Sequence, residues 1–588
     1  MKNELKKLKY SLKDLRNNRT YIVFISILSV LIFSYSKYNI VSPLFKYALE
    51  KGDMISITQN NISRLITNPL VILLLLVVLL LYILLVLIQL NLIISILDGN
   101  INIFKIIKKL TTSFLKLLNP RALVFIPLIF LLMQNHNLGL EFLNLKNLAI
   151  PNFVVDSFNE KSITRNIYFV FSILLYFLNI RLIDTLIIFI KEDKTGPIEA
   201  MKKSWRSTRK NTFKIILSMF IIDLLSLGAT LLISYGLYQP VKYLDSSMEL
   251  HEAIVTSLST LSLMGITYIS ILRYAWKIQY RLRSYKDDGP GENDELMLPA
   301  RKILFKGLTL VMIYLYAMTT TLNDPVLTVD RDPSVIAHRG SCKYSIENTI
   351  ESLEEANRLD ADYVEMDIQM TKDHKLVVFH DWKLNRLTDK KGMVRDYDLE
   401  EINNIELSHK GDISRIPDFE SYLKRAKEIR QPLLVELKLR PFDDRKAFID
   451  GMMDIIDSHD YRDYVIFQSI DFEVAKMLKE TYPELKVGYI LGLNIGQLAS
   501  DNFDFYSIED SFITSNVLDS IFIHEKELFV WTLNDTSRIQ RYINTGANGM
   551  ITDELEQMHT MIDNYKAFDL YQKRLFILAP ELSDIISF

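Results

Sequence analysis

The 588-residue chain holds one cysteine, Cys342. A single thiol excludes an internal disulfide framework and any zinc or iron–sulfur site built on cysteine. Excess charge is lacking too: 68 Lys and Arg stand against 71 Asp and Glu, a formal net charge of −3. Without a basic surplus the chain does not read as a nucleic-acid binder. The balance hides an asymmetry, because the first third is basic between its apolar runs and the second half holds most of the acids. A third absence is a signal-peptide cleavage site. The N-terminal "MKNELKKLKYSLKDLRNNR" is longer than an ordinary n-region, and no small-x-small site follows the next apolar stretch. An uncleaved membrane helix is expected there.

Apolar residues are what the chain has in quantity, at 49%. A helix that crosses the hydrocarbon core needs roughly 20 mostly apolar residues. Candidate runs lie near Tyr21–Tyr38, Leu70–Leu97, Ala122–Met133, Ile167–Ile190, Thr212–Tyr235, Ile254–Trp276 and Ile303–Leu322, the third being the weakest. The expectation is a multi-pass membrane protein of about seven α-helical spans. Lys and Arg crowd the N-terminal segment and the connections "NIFKIIKKLTTSFLKLLNPR", "KEDKTGPIEAMKKSWRSTRKN" and "KIQYRLRSYKDDGPGENDELMLPARK", while alternate connections such as "QPVKYLDSSMELHEA" are poor in them. Positive charge stays in the cytoplasm, so the N-terminus is expected there and, after an odd number of crossings, the second half outside. Loss of the third span would reverse the later orientation. Arg181 and Asp184, one turn apart, and Asp223 are expected to hold helices together rather than line a polar path. The basic loops are expected to face anionic membrane lipids.

From Asp332 short β-rich runs alternate with helical stretches. Strands are expected at Val335–His338, Tyr363–Ile368, Leu376–His380, Leu433–Leu437, Val465–Ile470, Val487–Leu491, Phe505–Ile508, Phe529–Leu533 and Met550–Thr552. Strand–helix repetition of this length predicts a (β/α)8 TIM barrel after the membrane domain. The division expected is 1–322 membrane, 323–332 linker, 333–560 barrel and 561–588 C-terminal tail.

Polar residues end many of these strands, where such barrels build active sites. His338 ends the first, Glu365 and Asp367 lie in the second, Glu436 and Lys438 end "LLVELK", Gln468 and Ser469 end "VIFQS", and Trp531 to Asn534 end "FVWTLN". Between "EMDIQM" and "LVVFHD" only "TKDHK" intervenes, too short for a crossover helix. An antiparallel hairpin is expected, with His380 opposite Met366 or Asp367 and hence beside two carboxylates sharing one strand face. Glu365, Asp367 and Glu436 make an oxygen-rich set suited to Ca2+ or Mg2+. Arg339 and Lys438 suit a phosphate oxyanion, and His338 and His380 are candidate acid and base. Each feature alone is ordinary. Their convergence on one rim points to metal-assisted phosphodiester cleavage.

The ordered set "AHRG…ENT…EMDIQMTKD…VVFHD…VELK…FQSID…VWTLND…GANGMITD" resembles the glycerophosphodiester phosphodiesterase family over residues 333–560. The preceding half is similar to the membrane domain fused to some bacterial members, through its architecture and the "KKSWRSTRKN" loop. The resemblance implies acid–base roles for His338 and His380, metal ligation by Glu365, Asp367 and Glu436, phosphate contacts from Arg339 and Lys438, and a glycerol pocket lined by Trp531. It also implies attack on phosphorus by glycerol's own hydroxyl, leaving a cyclic phosphate that water opens. Two departures are "SIENT", with Ile346 where proline is frequent, and "FQSID" for a more usual Ser-Phe-Asp. The substrates implied are glycerophosphodiesters, lysophospholipid headgroups or a glycerophosphate polymer of the teichoic type, hydrolysed to glycerol 3-phosphate and an alcohol. The alternative is a transporter or lipid-handling membrane protein whose barrel only binds. Oligomeric state is not legible.

Overall fold

The protein is described by a computed structural model at residues 2–59, 61–97, 103–117, 119–125, 127–128, 162–243, 251–283, 306–314, 332–409, 411–440, 443–498, 502–569 and 571–573. Among these, five helices are long and apolar enough to cross a membrane: Ile22–Glu50, Pro69–Leu97, Thr164–Lys191, Thr212–Val241 and Ala253–Leu282. Pro69–Leu97 shows why. It is an almost unbroken Leu/Val/Ile run of 29 residues, about 44 Å of helix against a hydrocarbon core of roughly 30 Å. The expected third span is described only at 122–125 and 127–128, which continue from the 3-10 turn Pro120–Val124, and the seventh only at 306–314, which are helical. The rest of both, the connection at 244–250, most of the linker and residues 574–588 of the tail lie outside the described residues.

Buried charge in this half is paired between helices. Asp184 accepts from Arg281 at 2.7 and 2.5 Å, and Lys277 meets Asp223 at 2.6 Å. Arg181 does not pair with Asp184; it donates to the Trp205 carbonyl and stacks on that indole at 4.5 Å. A desolvated cation needs a partner of this kind to persist among apolar side chains.

The second compact unit comprises Asp53–Thr67 and Pro325–Phe588. Its strands are β1 (Ser56–Thr58), β2 (Ser334–Ala337), β3 (Tyr363–Met370), β4 (Leu376–Val378), β5 (Glu406–His409), β6 (Asp412–Arg415), β7 (Leu433–Leu437), β8 (Val465–Ser469), β9 (Val487–Leu491), β10 (Asn494–Gly496), β11 (Phe505–Glu509), β12 (Glu527–Trp531) and β13 (Gly549–Thr552). Eight of them run parallel in the order β2-β13-β12-β11-β9-β8-β7-β3, and pairing of β2 with β3 closes the ring. This is the expected eight-stranded barrel. The strand expected at 529–533 begins and ends two residues earlier, and β1, β5, β6 and β10 were not expected.

β4 folds back on β3 as an antiparallel hairpin, with Ile368 opposite Val378. That register carries His380 opposite Met366. The following excursion has its own small core of Ile346, Val377, Phe379, Leu384, Leu387, Val394 and neighbours. Helices follow seven of the eight barrel strands. The connection from β9 to β11 is the exception: its described residues carry β10 instead, and β10 pairs antiparallel with β1.

Side-chain alternation builds the barrel in two layers. Ile336, Leu434, Ile466, Phe505, Phe529 and Ile551 form one apolar cluster, with Tyr363 packed on it. Their neighbours in sequence, such as Val335, Val435, Phe467 and Val530, belong to the larger core shared with the helices. Strand side chains repeat with period 2. Two residues beyond the inner apolar layer, toward the strand ends, stand His338, Glu365, Glu436, Gln468, Ser507, Trp531 and Asp553.

Candidate active site

The three expected acids come together. Asp367 on β3 and Glu436 on β7 are register partners, and Glu365 lies two residues back on the same face. Each offers an oxygen within 4.8 Å of the others. Glu365 accepts the Arg339 backbone N–H at 2.9 Å. Asn348 grips Asp367 with two bonds, donating from Nδ2 to Oδ2 at 2.8 Å and accepting the backbone N–H at 3.1 Å. Lys438 Nζ stands 3.3 Å from Asp367 and 3.9 Å from Glu436.

The turn "HRGSCKYSIENT" is shaped for these contacts. Arg339, Gly340 and Asn348 all have left-handed φ, at 56°, 81° and 58°. A Cβ on Gly340 would fall 2.4 Å from Ser352 Oγ and 2.8 Å from its backbone carbon, so only glycine lets the strand tip lie on the next helix. That helix, Ile350–Arg358, is capped by Thr349 and Ser352 in a reciprocal box.

Electrostatics favours an added cation. Burial, then the charges of Asp367 and Glu436, push the Glu365 carboxyl well above its ordinary range. Burial also raises Glu436. Burial would raise Asp367 too, but Lys438, His380 and Arg339 outweigh it and hold that carboxyl low. Asp367 Oδ1 is buried without a hydrogen bond. Three such carboxylates sharing a site resist full ionisation unless a cation joins them, and their hard oxygens suit Ca2+ or Mg2+. The residues therefore fit a divalent ion.

Both histidines are oriented by carboxylates that were not expected from the sequence. His338 Nδ1 lies 2.8 Å from Asp553 Oδ1, and Asn534 donates to Asp553 Oδ2 at 2.6 Å. His380 Nδ1 lies 2.8 Å from Asp381 Oδ1, whose other oxygen takes Arg386 Nε at 2.6 Å. A carboxylate accepts only, so each Nδ1 carries the proton and each Nε2 is left for chemistry. Gln369 fixes the backbone beneath His380, donating to the carbonyls of Phe379, His380 and Asp381. Burial lowers His380 to about 4, helped by the Arg339 cation, so its ring is neutral at pH 7.

Arg339 is held by Glu347 at 3.1 Å and lies 3.9 Å from Asp367. Glu347 also takes two bonds from Arg386, at 2.8 and 2.5 Å. Burial would raise Glu347, but the two guanidinium groups bring its carboxyl down to about 2. Trp531 ends β12 opposite Glu509, its indole N–H on the Ser507 carbonyl at 3.0 Å. Ser469 is spent on the Leu437 carbonyl at 2.7 Å. Cys342 donates to the His338 carbonyl at 3.1 Å, and burial pushes its thiol well up.

Residues 338–557 match the model of the glycerophosphoryl diester phosphodiesterase family, and residues 6–321 match that of the membrane domain of glycerophosphoryl diester phosphodiesterase. The chain is 29% identical to YhdW of Bacillus subtilis over 232 residues, 37% of this chain and 93% of that protein. It is 30% identical to a glycerophosphodiester phosphodiesterase of Caldanaerobacter subterraneus over 240 residues, 39% of this chain and 97% of that protein. A solved phosphodiesterase of Oleispira antarctica, in complex with the product sn-glycerol-3-phosphate, aligns with TM-score 0.37 and 24% identity over 39% of this chain and 97% of that one. Membership replaces the alternative of a barrel that only binds: the chain belongs to the glycerophosphodiester phosphodiesterase family, as a membrane-domain-fused hydrolase of phosphodiesters.

Proposed function

We propose that the enzyme is a divalent-metal-dependent glycerophosphodiesterase whose acid–base pair is His338 and His380. The observation that carries the reading is the alignment of Asp367 with Glu436 across β3 and β7, beside two imidazoles each tied through Nδ1 to a carboxylate. Glu365, Asp367 and Glu436 would hold the ion, Ca2+ or Mg2+, which when bound would polarise a phosphoryl oxygen. Arg339 and Lys438 orient the phosphate by charge and hydrogen bonding. His380, neutral and facing cations, takes the proton from the glycerol hydroxyl as that oxygen bonds to phosphorus. The bond from phosphorus to the other alcohol breaks, and His338, oriented through Nδ1 by Asp553, gives a proton to the leaving oxygen. Water then opens the cyclic phosphate with the roles exchanged, releasing glycerol 3-phosphate. Trp531 walls the glycerol pocket.

The substrate we favour is a glycerophosphodiester presented at a bilayer, a lysophospholipid headgroup before a soluble diester or a teichoic-type polymer. A membrane half larger than an anchor requires supports this, as does a relative named lysophospholipase D in Homo sapiens, 24% identical over 276 residues. Purified full-length protein with divalent metal should release choline from both diesters, leaving acylglycerol 3-phosphate from lysophosphatidylcholine and glycerol 3-phosphate from glycerophosphocholine. If His338→Ala and EDTA leave the rate unchanged, the reading is wrong.

We also propose that the N-terminus is cytoplasmic and the barrel outside. The alternation of basic connections supports this. So does the membership of Asp53–Thr67 in the barrel unit, because one candidate span, Ile22–Glu50, separates that segment from the N-terminus. This support does not depend on the number of later spans. Lys372, 61% exposed, offers the test. Lys372→Cys in a Cys342→Ser background should react with a membrane-impermeant maleimide in intact cells. Labelling only after permeabilisation would reverse the orientation.

A further inference from the structure

Among its described residues the β9–β11 connection carries no helix, unlike the connections after the other seven strands, and a segment from far upstream meets it. β1 pairs with β10 in the register Ser56 with Gly496, Ile57 with Ile495 and Thr58 with Asn494. Asn61 closes β1 into a turn, accepting the Thr58 N–H at 2.8 Å and donating to the Ser56 carbonyl at 2.8 Å. This turn presents Gln59. Its Nε2 donates to the Ile490 carbonyl at 2.9 Å, and its Oε1 accepts the Leu493 N–H at 3.2 Å. One carboxamide thus spans the end of β9 and clamps residues 490–493.

The clamped turn bears on the site. A methyl group on Gly492 would touch the Trp531 ring at 3.6 Å, so its backbone lies against that indole. The barrel side is adapted to the contact as well. Gly496 has φ of +135°, and a Cβ there would fall 3.0 Å from Ser56 Cα and 3.1 Å from the Ile55 carbonyl oxygen. A side chain at 496 is incompatible with β1 in its place.

We propose that Gln59, from the connection between the first two candidate spans, is a positioning residue of the phosphodiesterase site: it fixes the 490–493 turn against Trp531 and so sets the wall of the glycerol pocket. The proposal rests on the reading of Trp531 given above. It makes residues 53–67 a working part of the enzyme, so a catalytic domain cut at the start of β2 is incomplete.

The test uses the full-length protein. Gln59→Ala should raise KM for glycerophosphocholine by about fivefold to tenfold, the scale of two lost hydrogen bonds, with kcat changed less than about twofold. Gln59→Glu turns a carboxylate oxygen toward the Ile490 carbonyl where Nε2 had donated, so its KM should rise at least as far as in Gln59→Ala. Gly496→Val should reproduce the Gln59→Ala shift from the other side of the contact, and the double variant should be no worse than either single one. Bis(p-nitrophenyl) phosphate has no glycerol and hence no internal nucleophile; used as a competitive inhibitor, its Ki should change less than about twofold in every variant. Independently of activity, Ile57→Cys with Ile495→Cys in a Cys342→Ser background should form a disulfide in membranes, because paired antiparallel Cα atoms lie about 4.5–5.5 Å apart. An unchanged KM in Gln59→Ala, an equal loss of affinity for both diesters, or failure of the disulfide to form overturns the proposal. A disulfide formed in a protein whose unsubstituted parent does not cleave glycerophosphocholine overturns instead the catalytic reading beneath it.

Discussion

Replacing Asp553 by asparagine isolates what a carboxylate does for His338. Asp553 serves two donors at once, His338 Nδ1–H at 2.8 Å and Asn534 Nδ2 at 2.6 Å. An amide has one oxygen. With that oxygen turned to Asn534, its NH2 group faces His338 Nδ1 and forbids a proton there. The ring is then forced into the Nε2–H neutral tautomer, which cannot surrender a full proton to a leaving alkoxide. Losing a positioned general acid costs about 10^2–10^4 in rate, and a forced tautomer in a carboxylate–histidine pair acts on the same scale. We expect kcat for glycerophosphocholine to fall by about 10^2–10^4 in Asp553→Asn, with KM within about threefold. Asp553→Ala should lose less, since water can accept the Nδ1 proton and the imidazolium remains accessible. A second substrate sharpens the argument. A glycerophosphodiester of p-nitrophenol has a leaving group that needs no proton, and nitrophenolate release reads the first bond cleavage alone. There Asp553→Asn should lose less than about tenfold. Equal losses with choline and nitrophenol leaving groups, or an asparagine variant more active than the alanine one, would refute the reasoning.

Other consequences can be checked on the same protein. Glu347 bridges Arg339 and Arg386 with its carboxyl near 2 against an ordinary 4.5. A depressed folded value contributes stability that is complete above about 4.5 and lost as pH falls toward 2, worth about 3 kcal/mol. Glu347→Gln should therefore lower Tm at pH 7 and flatten its fall between pH 4.5 and 2, followed by scanning calorimetry. Divalent metal at about 100 times its Kd should stabilise the barrel by about 2.7 kcal/mol. Glu365→Gln should abolish that Tm increment while leaving the metal-free Tm equal or higher, because Glu365 resists ionisation beside two other acids. Cys342, hydrogen-bonded to His338 and raised by burial, should alkylate at pH 7.5 at least about tenfold more slowly than a free thiol, measured by mass spectrometry of the intact chain.

Much of this architecture is legible because it obeys local periodicity. Pro69–Leu97 announces itself by length and apolarity, and the eight barrel strands by short β-branched runs at helix-sized intervals. The short "TKDHK" turn is enough to deduce the β3–β4 hairpin. β12 is displaced by two residues from the expected run because apolar Leu533 continues the pattern past the strand's end, where its N–H bonds to Ile551 instead. β1 and β10 are invisible for another reason. Each has three residues, and neither carries a pattern without the other.

The site divides in the same way. The acids, cations and histidines at the strand ends declare themselves by charge. The side chains that aim them do not, since a lone Asp, Asn or Glu after a strand is ordinary surface chemistry. One signal was available for Asp553. Counting two residues on from Ile551, as from Ile336 to His338 and from Leu434 to Glu436, places it on the inward rim. No such count reaches Asn348, Glu347 or Arg386, which lie in turns outside the strand repeat.

The bond from Gln59 to Ile490 joins residues 431 apart. At a synthesis rate of about 5–20 residues per second, its second partner leaves the ribosome roughly 20–90 s after its first. Throughout that interval β1 lacks the β10 strand it pairs with in the folded protein, and its shortness and its Ser and Thr content suit an unpaired edge. On the role proposed for Gln59, the β1 segment is therefore made long before the turn it clamps, and that wall of the pocket is completed only once β9 and β10 have been synthesised.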